Sequence, residues 1–476
     1  MSCVVIGGGH NGLTAALALA KAGRRVTVLE ARSVLGGIGA GESFHGAWRH
    51  QGLWHDADTV MLDELRALGV SVPTRDAARI VHLGTNLQTG PDGGTVPHDE
   101  WKAFQLFLAR VLPFLRQRFL EPAPRIDAAA PLMPLARPAL ELRKLGTDML
   151  ELLRLLPTSI DDFLAEHFSS PEVRAALAWP ALFGAWAGPI SPGTTATWLR
   201  HEALTSHGQE VVGGPAALVD ALVAACGEAG VNLRTDARVT GITVDEGRVT
   251  GVRVGDETLG AETVLSGIDP RSMVALLPIG ELPLELEEDV EHLRCRGSFA
   301  KVHLALAARP GLPEGERFRT ATHPHELERA FDRVKHRQHP VAPPLDLRLF
   351  ESAGGWVASV SVHFAAHEAG WDAGSRDGLY REVLGVLEQH APGIGDLVAH
   401  AEVLSPQDIA DRYGLTGGHV FHGEHALDQL LISRPTPELA RHATPLAGLF
   451  LADQGTHPGG GVTCGPGVLA ARATLA

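Results

Sequence analysis

The chain has 476 residues, of which 45% are hydrophobic and 20% are charged, as in a globular protein large enough for two domains. Its formal net charge of −15 argues against nucleic acid or an anionic membrane surface as a partner. No apolar run reaches the length of a membrane span, so we expect no integral membrane association.

The N-terminus and the cysteines indicate a cellular compartment. The apolar run at residues 3–6 leaves no room before it for a secretory signal. The four cysteines are widely scattered and show no C-x-x-C spacing, which argues against a structural metal and against a redox disulfide. We therefore predict a cytoplasmic protein without a bound metal.

The first thirty residues have the pattern of a nucleotide-binding unit. The run at residues 3–6 predicts a buried parallel strand, and residues 7–12 read GGGHNG, a match to G-x-G-x-x-G. A helix is predicted over 13–22 and a second strand over 25–29, which ends at Glu30. This order of strand, glycine turn, helix and strand predicts a dinucleotide site.

Each position in this unit has a chemical reason. Gly7 permits the tight turn, Gly9 lets the backbone approach a pyrophosphate, and Gly12 allows close packing of helix on strand. Glu30 follows the glycines by about 20 residues, where a carboxylate accepts a hydrogen bond from an adenosine ribose. The unit alone does not distinguish NAD from FAD. We expect the site to include also His10, Asn11, Ala31, Arg32, Gly36 and Gly37.

Beyond this unit the pattern changes twice. Residues from about 99 to 204 are mostly helical, with apolar residues at helical spacing over 101–119 and 140–156. The alternation of strand and helix then returns, with a helix after Gly213, a strand over 231–235, and further strands up to 266.

The second half of the chain is rich in strands. Segments 299–306, 345–350 and 356–363 alternate as in an antiparallel sheet, and residues 378–388 predict a helix. A last strand over 449–453 runs into a glycine-rich segment and a final helix.

These elements predict an α/β fold in which a discontinuous Rossmann-like domain is interleaved with an α+β domain. The nucleotide-binding domain is expected to comprise residues 1–70, 205–275 and 440–476. The substrate domain, with a mixed sheet and the helical insert at about 99–204, is expected to comprise residues 71–204 and 276–439.

Four segments together resemble the phytoene-desaturase-like FAD oxidoreductases, whose fold is shared with the flavin amine oxidases. The likeness is greatest to the branch with pyridine nucleotide-disulfide oxidoreductase domain-containing protein 2 and the ketolase-type carotenoid enzymes. The segments are 4–37, 212–270, 297–306 and 413–472, and the last contains the specific sequence GTHPGGGV after a strand ending in Asp453.

The resemblance implies bound FAD. It places Asp453 near the ribityl or pyrophosphate region and the backbone of Val239 against the adenine. It also places backbone N–H groups at the start of the final helix against the flavin ring, where they would stabilise the reduced flavin. These N–H groups belong to Gly461, Val462, Thr463 and Cys464, and Gly460 is a further expected cofactor contact.

Lys301 is the first candidate for chemistry. The sequence GSFAK at 297–301 is similar to the amine-oxidase motif whose lysine holds a water at flavin N5. The alternative is a solvent-facing lysine on a strand. With only Tyr380 and Tyr413 in the chain, a pair of tyrosines over the flavin is not expected, although Trp198 or Trp356 could take one place. The cysteine that holds a covalent flavin in some amine oxidases has no counterpart, so noncovalent FAD is expected.

Histidines near the C-terminus are further candidates. His419, His422 and His425 are three residues apart, a spacing that on a strand or loop spreads side chains rather than converging them on a metal. Acid–base chemistry or substrate contact at His422, and purely structural roles, remain open. His457 follows the last strand and is expected close to the flavin, as a positioning residue or proton donor.

The resemblance implies an enzyme that removes a hydride from a C–H or C–N bond of an organic substrate to flavin N5. The polar segment at 41–58 and the short C-terminus favour a soluble or moderately apolar small metabolite over a polyisoprenoid. The alternatives are a flavin amine oxidase, a redox-neutral flavin isomerase, and a non-catalytic lipid-binding chaperone of the same fold. The sequence indicates no oligomeric state.

Overall fold

A computed structural model describes residues 2–124, 133–205 and 208–476. Within these ranges the strands are β1 (Ser2–Ile6), β2 (Arg25–Leu29), β3 (Ser43–His45), β4 (Trp48–Arg49), β5 (Thr74–Asp76), β6 (Ile80–His82), β7 (Gln88–Thr89), β8 (Gln209–Val211), β9 (Asn232–Arg234), β10 (Val239–Asp245), β11 (Arg248–Val254), β12 (Glu257–Gly260), β13 (Thr263–Ser266), β14 (Ala300–Leu306), β15 (Arg317–Arg319), β16 (Leu345–Ser352), β17 (Gly355–Val362), β18 (Val398–Leu404) and β19 (Leu449–Leu451).

The α-helices in the same ranges are α1 (His10–Lys21), α2 (Leu62–Ala67), α3 (His98–Leu120), α4 (Met133–Lys144), α5 (Thr147–Leu155), α6 (Ile160–Ala165), α7 (Pro171–Ala178), α8 (Thr194–Leu204), α9 (Gly214–Glu228), α10 (Pro270–Val274), α11 (Leu284–Glu291), α12 (Pro324–Lys335), α13 (Ala373–His390), α14 (Ile394–Leu397), α15 (Pro406–Tyr413) and α16 (Gly465–Leu475).

One parallel sheet has the order β19-β13-β1-β2-β9. Its central strand β1 is apolar throughout its buried part, as expected for a parallel strand covered on both faces. Helices α9 and α16 pack against α1. The five strands come from the beginning, the middle and the end of the chain, so the predicted Rossmann-like core with distant segments is confirmed.

A second, mixed sheet has the order β18-β14-β17-β16-β15-β6-β7. Its strands are antiparallel except for β15, which pairs in parallel with β6. All seven residues of β14 are buried, including Lys301 and His303. The predicted combination of a Rossmann-like sheet and a separate mixed sheet is therefore correct.

The helical insert begins at α3, which buries six apolar residues at helical spacing: Phe104, Phe107, Leu108, Val111, Leu115 and Phe119. The helical pattern over 140–156 is not one helix. Gly146 adopts φ 60° between α4 and α5, a left-handed backbone that ends the first helix, and α5 begins directly after it.

The segment at 41–58 is not a plain polar loop. It contains the hairpin of β3 and β4 and then turns inward, so that His50, His55 and Asp56 are all buried. This buried polar segment lies against β14 and β16 and contributes to the site described below. None of the helices in the described ranges is both long enough and apolar enough to cross a membrane.

Candidate functional site

The glycine turn after β1 is built for close backbone approach. Gly7 has φ +91°, and a Cβ on Gly12 would lie 2.1 Å from the carbonyl oxygen of Gly7. A Cβ on Gly467 of α16 would lie 2.2 Å from the carbonyl oxygen of Asn11. A Cβ on Gly9, in contrast, would meet no other atom within 4 Å. The turn is thus tight where it packs on the protein and open where a ligand would approach.

Glu30 holds this turn in place. Its Oε2 accepts a hydrogen bond from the Gly8 backbone N–H at 2.8 Å, and its Oε1 accepts one from the Arg32 N–H at 2.8 Å. The Gly36 N–H donates to the Gly8 carbonyl at 2.7 Å, which ties the second glycine turn to the first. The carboxylate therefore organises both turns as well as facing the cleft between them.

A cleft of about 180 Å³ lies at this turn, along the carboxyl ends of β1 and β2. It is lined by eleven of the residues predicted from the sequence, namely Gly7, Gly9, His10, Asn11, Gly12, Glu30, Ala31, Arg32, Gly37, Val239 and His422. Sequence reasoning missed Arg238, Arg412, Tyr413 and Gln454, which also line it.

The cleft contains buried polar atoms without hydrogen-bond partners in the described residues. Both amide atoms of Asn11 and Nε2 of His10 are of this kind. Buried polar groups normally have partners, so these atoms at a glycine turn and helix start fit a bound diphosphate. Burial lowers the pKa of His10 to about 4, which leaves a neutral imidazole there.

His422 lines the cleft and lies beside Asp453. Nδ1 of His422 lies 3.3 Å from Oδ1 of Asp453, and His422 has φ 57°, a left-handed backbone uncommon for a residue with a side chain. Burial raises the pKa of Asp453. Gln454, the next residue, lines the cleft, whereas Asp453 reaches it through His422.

The predicted flavin-facing residues 460–463 are fully buried but do not line the cleft. They also precede the final helix rather than starting it. Cys464 has φ 63° as the residue before α16, and the helix begins at Gly465 with Pro466 in its first turn. Arg200 of α8 fixes this loop, because its Nε donates to the Pro458 carbonyl at 2.8 Å.

The other C-terminal histidines make backbone contacts. Nε2 of His457 lies 3.0 Å from the Glu121 carbonyl, so His457 faces the end of α3 rather than the cleft. His419 and His425 lie within hydrogen-bond distance of the carbonyls of Gly184 and Phe183.

Lys301 is not a solvent-facing residue. Its side chain is fully buried, Nζ donates to Ser361 Oγ at 2.9 Å, and Nζ lies 2.9 Å from Nδ1 of His55. Burial lowers the pKa of Lys301 to about 7 against the opposing pull of Asp346 and Asp56. The amine is therefore close to half neutral at neutral pH.

The Asp346 carboxylate lies near two imidazole rings, one of which contacts Lys301. Its Oδ2 lies 3.6 Å from Nε2 of His55 and 3.7 Å from Nε2 of His363, and its Oδ1 accepts from Nε of Arg319 at 3.4 Å. Burial opposes ionisation, but Arg319 and the two histidines hold the pKa of Asp346 well below its usual value. Burial lowers the pKa of His55 to about 4, so its ring is neutral.

Further ion pairs surround this unit. Arg317 donates to Asp56 at 2.6 Å, and Arg348 donates to Glu210 at 2.7 Å.

The sequence contains a pattern that could have predicted this network. In several strands two polar residues are separated by one apolar residue. Such alternation places them on one sheet face. The pairs are Lys301 and His303, Arg317 and Arg319, Asp346 and Arg348, and Ser361 and His363.

Two clusters bring metal-ligand types of atom within 4.8 Å of one another, His55 with Asp56 and Asp346, and His50 with His303 and Glu402. In the second, the two imidazole rings are stacked at 4.3 Å with 6° between their planes. Lone pairs lying in parallel planes do not converge on one ion. The expectation of no metal stays a prediction.

A separate cavity of about 190 Å³ lies between the helical insert and β15. Its lining includes the aromatic side chains of Trp101, Phe104 and Trp198. Trp198 is one of the two tryptophans that could take the place of a tyrosine over the flavin. Phe183 also lines it and stacks on His363 with ring centroids 5.1 Å apart. The cavity therefore adjoins the Lys301 network. Polar and charged side chains line the same cavity, namely Asp58, His201, Glu202, Arg317 and Arg319.

The remaining aromatic candidates lie elsewhere. Tyr413 lines the nucleotide cleft, with the guanidinium carbon of Arg32 4.6 Å from its ring centroid. Tyr380 and Trp356 pack against the hydrophobic core of the mixed sheet. A tyrosine pair at one site is thus not formed, in line with the sequence.

Comparison with known proteins agrees with this geometry. A relative from Rattus norvegicus, pyridine nucleotide-disulfide oxidoreductase domain-containing protein 2, is 28% identical over 96% of this chain and 90% of its own length. Hydroxyneurosporene desaturase from Cereibacter sphaeroides is 28% identical over 96% of this chain and 94% of its own length.

Among solved structures, cyclohexylamine oxidase from Brevibacterium oxydans has the same fold. It superimposes with a TM-score of 0.59 at 16% identity, covering 100% of this chain and 98% of the oxidase. The family described as flavin containing amine oxidoreductase matches residues 12–472, nearly the whole chain. The glycine cleft, the two-sheet fold and this match together place the chain in the flavin containing amine oxidoreductase family, as an FAD-dependent oxidoreductase.

Proposed function

We propose that this protein binds FAD noncovalently and oxidises a small organic substrate by removing a hydride from a C–H or C–N bond. The observation that carries the proposal is the buried unit of Lys301, His55 and Asp346 beside a cavity at the sheet face. A lysine with a pKa of about 7 is suited to accept a proton at neutral pH.

The cofactor is proposed to lie with its adenosine diphosphate part in the cleft and its flavin toward the loop at 455–464. The unpartnered atoms of Asn11 and His10 support the diphosphate position. No cysteine lines the cleft within the described residues, and burial raises the pKa of Cys464 to about 12, which supports noncovalent binding. The proposed contacts are those predicted from the sequence: Gly7, Gly9, His10, Asn11, Gly12, Glu30, Ala31, Arg32, Gly36, Gly37, Val239, Asp453, Gly460, Gly461, Val462 and Thr463.

We further propose the domain division expected from the sequence. The strands of the parallel sheet fall within residues 1–70, 205–275 and 440–476. The mixed sheet and the helical insert fall within 71–204 and 276–439. Because all four cysteines are free and buried, a reducing, cytoplasmic location is also proposed.

The protein's own part in the reaction is proton transfer and water exclusion. Bound FAD supplies the acceptor for two electrons. As the substrate loses a hydride and a proton, Nζ of Lys301 takes up the proton. Nδ1 of His55 accepts a hydrogen bond from the ammonium group that results, and the Asp346 carboxylate on the other side of the ring stabilises its positive charge.

The two candidate histidines take different proposed roles. His422 lies at the cleft next to Asp453, and we propose it as a cofactor contact that can move a proton. His457 is held by the Glu121 carbonyl, and burial lowers its pKa to about 3. This contact supports a role in positioning the loop at 455–464 rather than in reacting.

Reconstitution and reduction test the proposal. The protein loaded with FAD should show the visible flavin bands, and acid precipitation should release the flavin into the supernatant. Candidate substrates are then mixed anaerobically in a stopped-flow instrument, and bleaching of the flavin band reports oxidation. A protein that takes up no FAD, or whose FAD no substrate class reduces, would overturn the proposal.

A second candidate, an amine oxidase, is favoured by the fold shared with cyclohexylamine oxidase. It predicts that primary amines bleach the flavin and that hydrogen peroxide forms when oxygen is admitted. Reduction by substrates that lack nitrogen would instead favour desaturation.

A further inference from the structure

The cavity between the helical insert and β15 is lined by polar groups that are not all used by the protein. The side chain of Arg319 is 3% exposed, and its Nε donates one long hydrogen bond, to Asp346 at 3.4 Å. Within residues 2–124, 133–205 and 208–476 its guanidinium makes no other hydrogen bond. A guanidinium has five N–H donors, so four of them remain without a partner at a site that lines the cavity.

Arg319 is held in place by aromatic rings rather than by a second carboxylate. Its guanidinium carbon lies 5.2 Å from the ring centroid of Trp179 and 5.6 Å from that of Phe183. Its one acid partner, Asp346, is shared with two histidines. The terminal nitrogens are thus positioned and free to meet an acceptor from the cavity.

The neighbouring charges are already compensated or neutral. Asp58 faces the cavity but lies 3.6 Å from NH1 of Arg317, which also binds Asp56 at 2.6 Å. Burial and the nearby Asp58 raise the pKa of Glu202 to about 7, so below that pH its carboxyl group is a hydrogen-bond donor. The titratable and charged groups that line the cavity with Glu202 are Asp58, Arg317 and Arg319, together with His201, its neighbour on α8.

From these observations we propose that the cavity binds a small ligand with an aromatic or apolar body and a carboxylate group, which the guanidinium of Arg319 and the carboxyl group of Glu202 would contact. The aromatic side chains of Trp101, Phe104 and Trp198, which line the same cavity, match the apolar body. A volume of about 190 Å³ is below the roughly 300–1,000 Å³ of sites for drug-sized ligands, so the ligand is a small one.

An ammonium group fits this cavity less well. Its charge would add to those of Arg317 and Arg319, while Asp58 is already paired and Glu202 is neutral below its pKa of about 7. The ligand is assigned as the substrate only through the proposed function, since Arg319 bonds to the Asp346 that supports Lys301. Binding itself requires no turnover and can be measured alone.

Calorimetric titration of the FAD-loaded protein tests the proposal with three probes that share one ring: benzoate, benzyl alcohol and benzylamine. At pH 6 benzoate should bind at least tenfold more tightly than the other two. Arg319→Gln should weaken benzoate at least tenfold, while Arg329→Gln, a change at an exposed arginine of α12, should not.

The pH dependence gives a test that leaves Arg319 intact. Because Glu202 loses its proton as the pH rises through about 7, benzoate affinity should fall several-fold between pH 6 and pH 8.5. Glu202→Gln keeps a neutral donor and should abolish this fall, whereas Glu172→Gln on the exposed side of α7 should not.

The other outcomes would reject either this site or the proposed function. Benzylamine binding more tightly than benzoate, with an affinity that rises with pH, would overturn the proposal in favour of an amine site. Equal binding of all three probes, or a Glu202→Gln variant that keeps the full pH dependence, would overturn it as well. Benzoate binding by a protein whose flavin no substrate reduces would instead retain this site and reject the proposed function.

Discussion

Nζ of Lys301 lies 2.9 Å from Nδ1 of His55, in a part of the molecule where both side chains are almost completely buried. The His55 ring is neutral and its Nε2 faces Asp346 at 3.6 Å. Nδ1 of His55 can therefore accept a hydrogen bond from the lysine, while the Asp346 carboxylate lies on the other side of the same ring. This is the arrangement of an activated base supported by a second and a third group.

Replacing Lys301 tests its role as the base. We expect Lys301→Met to slow substrate reduction of the flavin about 100-fold or more, the usual loss for a general base. FAD affinity should stay unchanged, because Lys301 does not line the cleft. Stopped-flow absorbance measures the rate of flavin reduction, and fluorescence titration measures the affinity for FAD. Lys335→Met on α12 serves as the control, and an unaltered reduction rate in Lys301→Met would rule the base out.

The same variant should be more stable than the wild type near neutral pH. The pKa of Lys301 is about 7 in the folded protein and 10.5 when exposed, so between these values the unfolded chain binds more protons and stability rises with pH. The cost of burying this lysine is up to about 5 kcal/mol at pH 7 and below, and it vanishes towards pH 10.5.

Urea unfolding of both proteins at pH 7 and pH 9.5 measures this effect. The stability advantage of Lys301→Met should be largest at pH 7 and should shrink as the pH rises. A difference between the two proteins that is the same at both pH values would show that burial does not lower the pKa of Lys301.

Glu30 should control FAD affinity. The Glu30→Gln variant loses one of the two carboxylate oxygens that hold the N–H groups of Gly8 and Arg32. Since hydrogen bonds to a charged group are worth about 1.5–3 kcal/mol, we expect FAD binding to weaken about 10- to 100-fold. Glu64→Gln, at the surface beside Arg472, is the matched control. Flavin fluorescence on titrating apoprotein gives the dissociation constants.

Two glycines in helices should respond oppositely to alanine. Gly12→Ala places a Cβ 2.1 Å from a backbone oxygen, so the turn must move and flavin binding should be lost. Gly227→Ala in α9 meets nothing within 4 Å and should stabilise the protein by up to about 1 kcal/mol. Thermal unfolding measures the stability of each variant, and flavin content measures its cofactor binding. Normal flavin content in Gly12→Ala would contradict the close-packed turn.

The fold was largely predictable because its signals are local. The unit at residues 3–30 shows its strands, its glycine turn and Glu30 within one short window, and a cleft lies at this turn in the structure. The break between α4 and α5 was missed because Gly146 interrupts a continuous apolar pattern with a single left-handed residue.

The candidate reaction site was only partly predictable. Lys301 was identified through its motif, but its partners His55 and Asp346 are 246 residues before it and 45 after it along the chain, and only tertiary packing brings them together. His457 follows the last strand as expected, yet its ring turns to the end of α3, because Glu121 offers a carbonyl there that no local pattern announces.

The pairing of β19 with β13 has a consequence for biosynthesis. The edge of β13 is complete only when residues 449–451 have left the ribosome, and α16 then covers α1. Until that moment the nascent chain carries an unpaired apolar strand, the kind of edge to which other chains add. The incomplete sheet edge therefore persists while residues 267–448 are synthesised, and the nucleotide cleft, whose lining includes Gln454, is complete only near the end of synthesis.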